Sequence, residues 1–440
     1  MQMMSHLPPG PRSTLLATMR YLRDPFGSLL AARDRFGDPY TWPTFLGKVV
    51  VTGDPAGVKT LLSADPDIYS ALGADLLGPV LGQNNLILLS GERHRAMRKL
   101  QNPQFHGERL QAYGRTITSV AETHIGRWPS DEPFPIQETM QAISLDVILQ
   151  AVLGLSDPMS RVAFKEAVLS MVAALKPSFM FWPALRRPML GWSAWSRFQR
   201  QRTAAAALFA KEMAARRARP DVGEDILSLM VASRKEDGSA FNDDELLEQT
   251  MSLIGAGHET TASTLTWALY HIHRDARIKG RLLEELRTHA APTDPEAIAR
   301  LPYLNAVCSE ALRLNPVAPL VGRTLRGSLT LQEYDLPAGT SVGIGIVNVH
   351  RRPDLYPEPE VFRPERFLER EYSAFEYLPF GGGSRRCLGA AFAVYEMKLV
   401  LATVLRTHDL RLVSDAPVRA ALRNTTVGPA AKIEMTRNRP

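Results

Sequence analysis

The spacing of apolar and polar positions divides the chain into a long helical middle, residues 90–316, and two flanks, 1–70 and 320–440, where strands appear. Residues 39–53, Pro-Tyr-Thr-Trp-Pro-Thr-Phe-Leu-Gly-Lys-Val-Val-Val-Thr-Gly, are β-branched runs split by turn residues and predict a hairpin. Residues 69–89 mix Gly and Leu without clear period, which predicts a loop able to line an apolar pocket. Residues 91–100 read as a helix with His94 and Arg98 one turn apart on one face. Between Val168 and Arg219 a helical composition is interrupted at Pro177, Pro183 and Pro188, and Met180, Phe181, Trp182, Trp192 and Trp195 crowd the break. A polar linker, 233–241, precedes the cap Asn242-Asp243-Asp244. From Asp243 to His273 there is no proline, so roughly thirty residues can run as one helix of about 45 Å. Residues 302–316 form a helix stopped by Pro316, and 388–406 an apolar helix after Cys387. Alternation over 328–347 around Leu336-Pro-Ala-Gly339 predicts a second hairpin, and the tail from Ala430 a returning strand. The fold class expected is mainly α with a smaller β region.

Composition narrows the function classes. The 440 residues are 45% hydrophobic and 22% charged, enough for a large core. Net charge is only +6, and no dense Lys/Arg run is interleaved with aromatics as a nucleic-acid groove requires. Two cysteines, Cys308 and Cys387, allow one disulfide at most, which fits a cytoplasmic protein. The amino terminus, Met1 to Pro11, has no charged start followed by an apolar stretch of signal or anchor length, so no membrane anchor is expected.

The chemistry concentrates at Phe380-Gly-Gly-Gly-Ser-Arg-Arg-Cys387-Leu-Gly389. Glycines let the backbone turn tightly beneath a flat ligand, and a cysteine opening a helix, with Arg385 and Arg386 beside it, is placed to be a thiolate. In an extended run Arg385 and Cys387 would leave the backbone on one side. Ala256 and Gly257 lie one turn before Thr260 on the long helix, opening a groove and weakening local helical bonding by up to about 1 kcal/mol. Glu259 and Thr260 form an acid-alcohol pair able to pass a proton. His258 reads as a surface or core histidine.

The run Phe-x-x-Gly-x-Arg-x-Cys-x-Gly, followed by Ala393 and Glu396, resembles the haem-binding signature of the cytochrome P450 superfamily at every defining position. Gly255-Ala-Gly-His-Glu-Thr260, Glu310-Ala-Leu-Arg313, Phe362-Arg-Pro-Glu-Arg366 and Arg323 in Pro319-Leu-Val-Gly-Arg fall in that family's order. The resemblance implies a single domain over 1–440, where length alone would suggest two or three, with haem b between the long central helix and the cysteine loop. It implies Cys387 as axial thiolate, favouring O–O cleavage, and cofactor contacts from His94, Arg98, Ala256, Gly257, Arg323, Phe380, Arg385 and Gly389. Thr260 and Glu259 become the catalytic proton relay, and Glu310, Arg313 and Arg366 a buried structural network.

The activity implied is that of a monooxygenase inserting one oxygen atom of O2 into a C–H bond or C=C of an apolar molecule such as a fatty acid, terpenoid or steroid. Electrons would come from NAD(P)H through a ferredoxin and its reductase, or a flavodoxin-type donor. Arg95, Lys99, Arg385 and Arg386 are candidates for a basic docking face. The segment 168–219 becomes a lid, and Asn424–Pro429 a turn entering the substrate cavity. The alternatives are a peroxide-driven peroxygenase, against which the Glu259–Thr260 pair argues, and a non-catalytic haem sensor or carrier, which needs no relay.

Overall fold

The computed structural model describes residues 7–155, 157–176, 179, 183–188, 191–218, 223, 225–235, 238–289, 294–423 and 426–437. The helices relevant to the site are α1 (Gly91–Gln101), α2 (Ile136–Leu153), α3 (Asp243–Arg274), α4 (Pro302–Leu314) and α5 (Ala390–Thr407). The main sheet is built from β1 (Tyr40–Thr44), β2 (Gly47–Thr52), β3 (Tyr69–Ala71), β4 (Leu320–Leu325) and β5 (Ser341–Gly345), in the order β1-β2-β5-β4-β3. The five strands of the main sheet come from residues 40–71 and 320–345, α1 to α4 from between them, and α5 from the second flank. β1 and β2 form the hairpin read at 39–53, with Tyr40 opposite Val51. β2 pairs with β5 in parallel and β5 with β4 antiparallel, which carries Arg323 into the sheet.

α3 organises the helical part. Its start is set by a capping box in which Asn242 Oδ1 accepts from the Glu245 amide at 2.9 Å and the Glu245 carboxylate accepts from the Asn242 amide at 3.0 Å. Acidic Asp243, Asp244 and Glu245 open it and His271, His273 and Arg274 close it, both matching the helix dipole. All 32 residues run without interruption, and its second half is buried nearly all round, from Thr264 to Tyr270. The groove residue Gly257 allows α2 to approach: a Cβ there would lie 3.0 Å from Ile148 Cδ1.

Several expectations are corrected. Leu329–Leu331 pairs with Tyr334–Leu336, so the second hairpin turns at Gln332, whose φ is +53°, and not at 336–339. Ser341–Gly345 instead joins the main sheet, where every residue is buried. The presumed loop 69–89 holds strand β3 and a helix, Ala74–Leu81. The aromatic cluster splits: Trp195 is buried against Phe179 and Phe198, whereas Trp192 is 90% exposed. Pro177, Met180, Phe181 and Trp182 lie outside the described residues, as do Asn424 and Thr425 of the expected cavity turn. The tail returns as the strand Glu434–Arg437 beside Leu410–Leu412. Among the described residues no helix is long and apolar enough to cross a membrane.

Candidate functional site

The cysteine loop is held from within and from outside. The Cys387 amide donates to the Phe380 carbonyl at 2.9 Å and the Gly381 amide to the Leu378 carbonyl at 2.9 Å. Gly381 (φ +64°) and Gly383 (φ +61°) occupy the left-handed region, which a side chain would strain. Between them Gly382 is extended, and a Cβ there would meet Leu62 Cδ1 at 2.5 Å. Arg323 Nη2 donates to the Gly382 carbonyl at 3.0 Å, tying the sheet to the loop.

Cys387 is exposed to solvent on one side while protein atoms crowd it on the others. Burial pushes its thiol up, opposed by the Gly389 amide, Arg98 and Arg386, and burial prevails. The amide and the two guanidiniums thus act in the sense expected from the charge beside the cysteine, against the burial of the sulfur. Helix α5 begins only at Ala390. Nor is the run to the cysteine extended: Gly383–Arg385 is a 3-10 turn. Arg385 is directed to the Ile87 carbonyl at 3.2 Å, the Leu89 carbonyl and Ser90 Oγ at 3.1 Å. The guanidiniums acting on the sulfur are Arg98 and Arg386, of which Arg98 was expected only as a propionate partner.

His94, Arg98, Arg323 and Arg385 come together from α1, β4 and the cysteine loop, and among the described residues no carboxylate pairs with any of them. Burial lowers His94 to about 4, with Arg385, Arg98, Arg323 and Arg95 adding to it. Burial lowers Arg98 and Arg323, and lowers Arg385 to about 10, where Arg323, Arg326 and Arg98 contribute repulsion. Arg323 also lies over the Tyr69 ring, 5.2 Å from its centroid. The expected docking face shrinks, because Arg95 is paired with Asp67 and Arg385 is turned inward. Lys99 and Arg386 remain exposed.

On α3, Gly255 and Ala256 are exposed although Ile254 and His258 on the same helix are buried, so open space lies against the small-residue face. Thr260 Oγ1 donates to the Ala256 carbonyl at 2.7 Å, which leaves its lone pairs to accept. Thr260 and its neighbour Glu259 are half-buried. The helix continues through this point, so Gly257 does not open it. His258 is a core residue whose Nδ1 lies 3.0 Å from the Ile254 carbonyl.

Behind the loop, Glu310 binds Arg313 at 2.7 and 2.8 Å and Arg366 at 3.0 Å, all three essentially inaccessible. The remaining guanidinium hydrogens go to the carbonyls of His350, Pro357, Pro359 and Val361. Cys308 is fully buried, its thiol raised to about 12. Glu396 is fully buried, its carboxyl raised to about 8 by that burial, and it accepts from Ser144 Oγ at 2.6 Å. Arg386 acts on the sulfur as its place beside the cysteine suggests, whereas residue patterns offer no sign of Tyr69 beneath Arg323 or of His350, which joins the network to Leu378.

The fit to a haem can be judged from these groups. Three half-buried guanidiniums beside the buried His94, with no carboxylate paired to them among the described residues, suit a ligand carrying carboxylates, and a lone thiol suits a metal held mainly by a macrocycle. Among the described residues no three His, Cys, Asp or Glu gather as a metal site of their own.

A family model described as Cytochrome P450 matches residues 7–435. The chain is 36% identical over 429 residues to cytochrome P450 135B1 of Mycobacterium tuberculosis, covering 96% of this chain and 89% of that one. It is 34% identical over 407 residues to cytochrome P450 137 of the same organism, covering 90% and 82%. The solved structure "Retinoic acid bound cyanobacterial CYP120A1" superposes with a TM-score of 0.86 at 25% identity, covering 99% of both chains.

Proposed function

The chain belongs to the cytochrome P450 family of haem-thiolate monooxygenases, and on that premise we propose that Cys387 ligates the haem iron while His94, Arg98, Arg323 and Arg385 hold the haem propionates. The observation that carries this reading is the set of four basic side chains gathered at the cysteine loop with no carboxylate paired to them among the described residues. When bound, the haem supplies the activation of O2 and the insertion of one oxygen atom into a C–H or C=C bond. The chain's own residues do the rest. Iron at Cys387 Sγ would reverse the balance that now favours the thiol, with the Gly389 amide and Arg98 already opposing burial there. Phe380, half-buried against the main core, anchors the loop and would line the haem site.

Gly255 and Ala256 leave room for a small ligand beside α3, whereas the space at Gly257 is taken by Ile148 of α2. Thr260 Oγ1, whose hydrogen points to the Ala256 carbonyl, would accept a hydrogen bond from a water and hold it beside α3, while the Glu259 carboxyl would exchange protons with solvent. We infer an apolar substrate of the fatty-acid, terpenoid or steroid kind: Ile87 and Leu86 on the segment held by Arg385 present apolar surface, and the similar solved structure has retinoic acid bound. Electrons come from NAD(P)H through a separate ferredoxin, which meets the exposed Lys99 and Arg386.

The test is the absorption spectrum of the reduced protein under carbon monoxide beside a Cys387→His variant. A strongly red-shifted Soret band, lost in the variant, is expected. An unshifted band in the wild-type protein would overturn the assignment of Cys387.

A further inference from the structure

His350 is fully buried at the end of the short helix Ile346–His350, and none of the chemistry above uses it. Its Nδ1 lies 3.2 Å from the Arg313 carbonyl oxygen and its Nε2 lies 3.0 Å from the Leu378 amide nitrogen. A carbonyl only accepts and an amide N–H only donates, so the ring carries its hydrogen on Nδ1 and keeps a lone pair on Nε2. The arrangement is reciprocal, for Arg313 Nη1 donates to the His350 carbonyl at 2.8 Å. The ring stacks on Tyr377, centroids 5.6 Å apart at 22°, and the Tyr377 hydroxyl donates to the Ser309 carbonyl at 3.1 Å. Burial, with Arg313 and Arg351 nearby, holds the imidazole neutral, its pKa lowered to about 3.

These bonds form a continuous path. Glu310 fixes Arg313 through two hydrogen bonds; Arg313 fixes His350 through two more; His350 accepts the Leu378 amide. Leu378 in turn accepts from Gly381, and Phe380 accepts from Cys387. Every residue of the path but the loop itself is buried, where a lost acceptor leaves an unsatisfied donor.

We propose that His350 is a positioning residue for the cysteine loop, its neutral ring transferring the rigidity of the Glu310–Arg313 pair to Leu378 and so fixing how Cys387 is presented. This rests on the reading of Cys387 as the haem ligand. Two variants separate the two ring bonds. In His350→Gln the amide oxygen reaches the place of Nε2 and can still accept from Leu378; in His350→Asn the shorter amide reaches only the place of Nδ1.

The full-length, haem-loaded proteins are compared by the fraction of reduced, carbon-monoxide-bound haem in the red-shifted band and by hydrogen exchange of the Leu378 amide. His350→Gln keeps most of the red-shifted fraction and slow exchange, whereas His350→Asn loses at least half of that fraction and exchanges about tenfold faster at Leu378. Equal behaviour of the two variants in both measurements overturns the proposal. If His350→Asn does not fold, His350→Gln decides alone: a wild-type fraction supports the proposal and a halved one overturns it. A wild-type protein with no red-shifted band would sink the ligand assignment instead, and the exchange of Leu378 still reads the His350 bond by itself.

Discussion

Two groups of arginines near the cysteine loop are treated in opposite ways by the fold. Arg313 and Arg366 share one carboxylate, Glu310, and spend their other hydrogens on carbonyls, so the whole group is dry and complete. Arg98, Arg323 and Arg385, with His94, have carbonyls, a tyrosine ring and one another, and burial works against each charge. The same residue type thus serves two ends. A buried cation with its counter-charge inside the chain is structure; one without it is a site waiting for an anion from elsewhere.

The largest effect should come from breaking the complete group. Glu310→Gln leaves two buried guanidiniums without counter-charge and costs about 3–5 kcal/mol, seen as a fall in melting temperature of both the haem-free and haem-loaded protein and as loss of haem. If haem-free stability were unchanged, the network would not be the self-sufficient structure described.

The incomplete group should respond with the opposite sign. Arg98→Leu removes an uncompensated cation, so the haem-free protein melts no lower than wild type while haem affinity falls about tenfold, or about 1.4 kcal/mol. Titration of haem into the two apoproteins, followed by melting, checks both halves. A haem-free loss as large as that of Glu310→Gln would erase the contrast.

A pH effect sharpens it further. His94 is lowered from 6.5 to about 4 in the folded chain, so its neutral form is favoured. The unfolded chain binds the proton first, and this contribution to stability, full above pH 6.5, is lost as pH falls toward 4. A propionate beside the ring should move the His94 titration upward, measurable by NMR in haem-free protein against haem-loaded protein. An unchanged titration would remove His94 from the propionate set.

The smallest effect belongs to the surface. Lys99→Glu should weaken an acidic ferredoxin several-fold without altering the spectrum, because an exposed charge acts mainly on encounter. Unchanged affinity would leave Arg386 as the sole basic contact among those considered.

Much of this was legible in the residues. The capping signal at Asn242, the proline-free stretch after it and the Glu310–Arg313 spacing led directly to α3 and to half of the buried network. Hairpin placement failed at 328–347, because alternation marks a strand's faces but not its partner, and Ser341–Gly345 found its partner in β2, nearly three hundred residues away. The direction of Arg385 was misread for a related reason: two residues apart share a side only in extended chain, and a 3-10 turn intervenes.

What the sequence determined by itself is the inventory of chemistry, because residue type and spacing set which groups can bind, ionise or cap: one thiol in a glycine-rich turn, an acid-alcohol pair on a long helix, cations at separated points. Only the tertiary structure decided how those charges balance. Whether an arginine is neutralised depends on groups brought from distant parts of the chain and on the water removed between them, as with Glu310 and Arg366 or with Arg323 and Gly382. Desolvation and long-range pairing are properties of the packed chain, and no local pattern contains them.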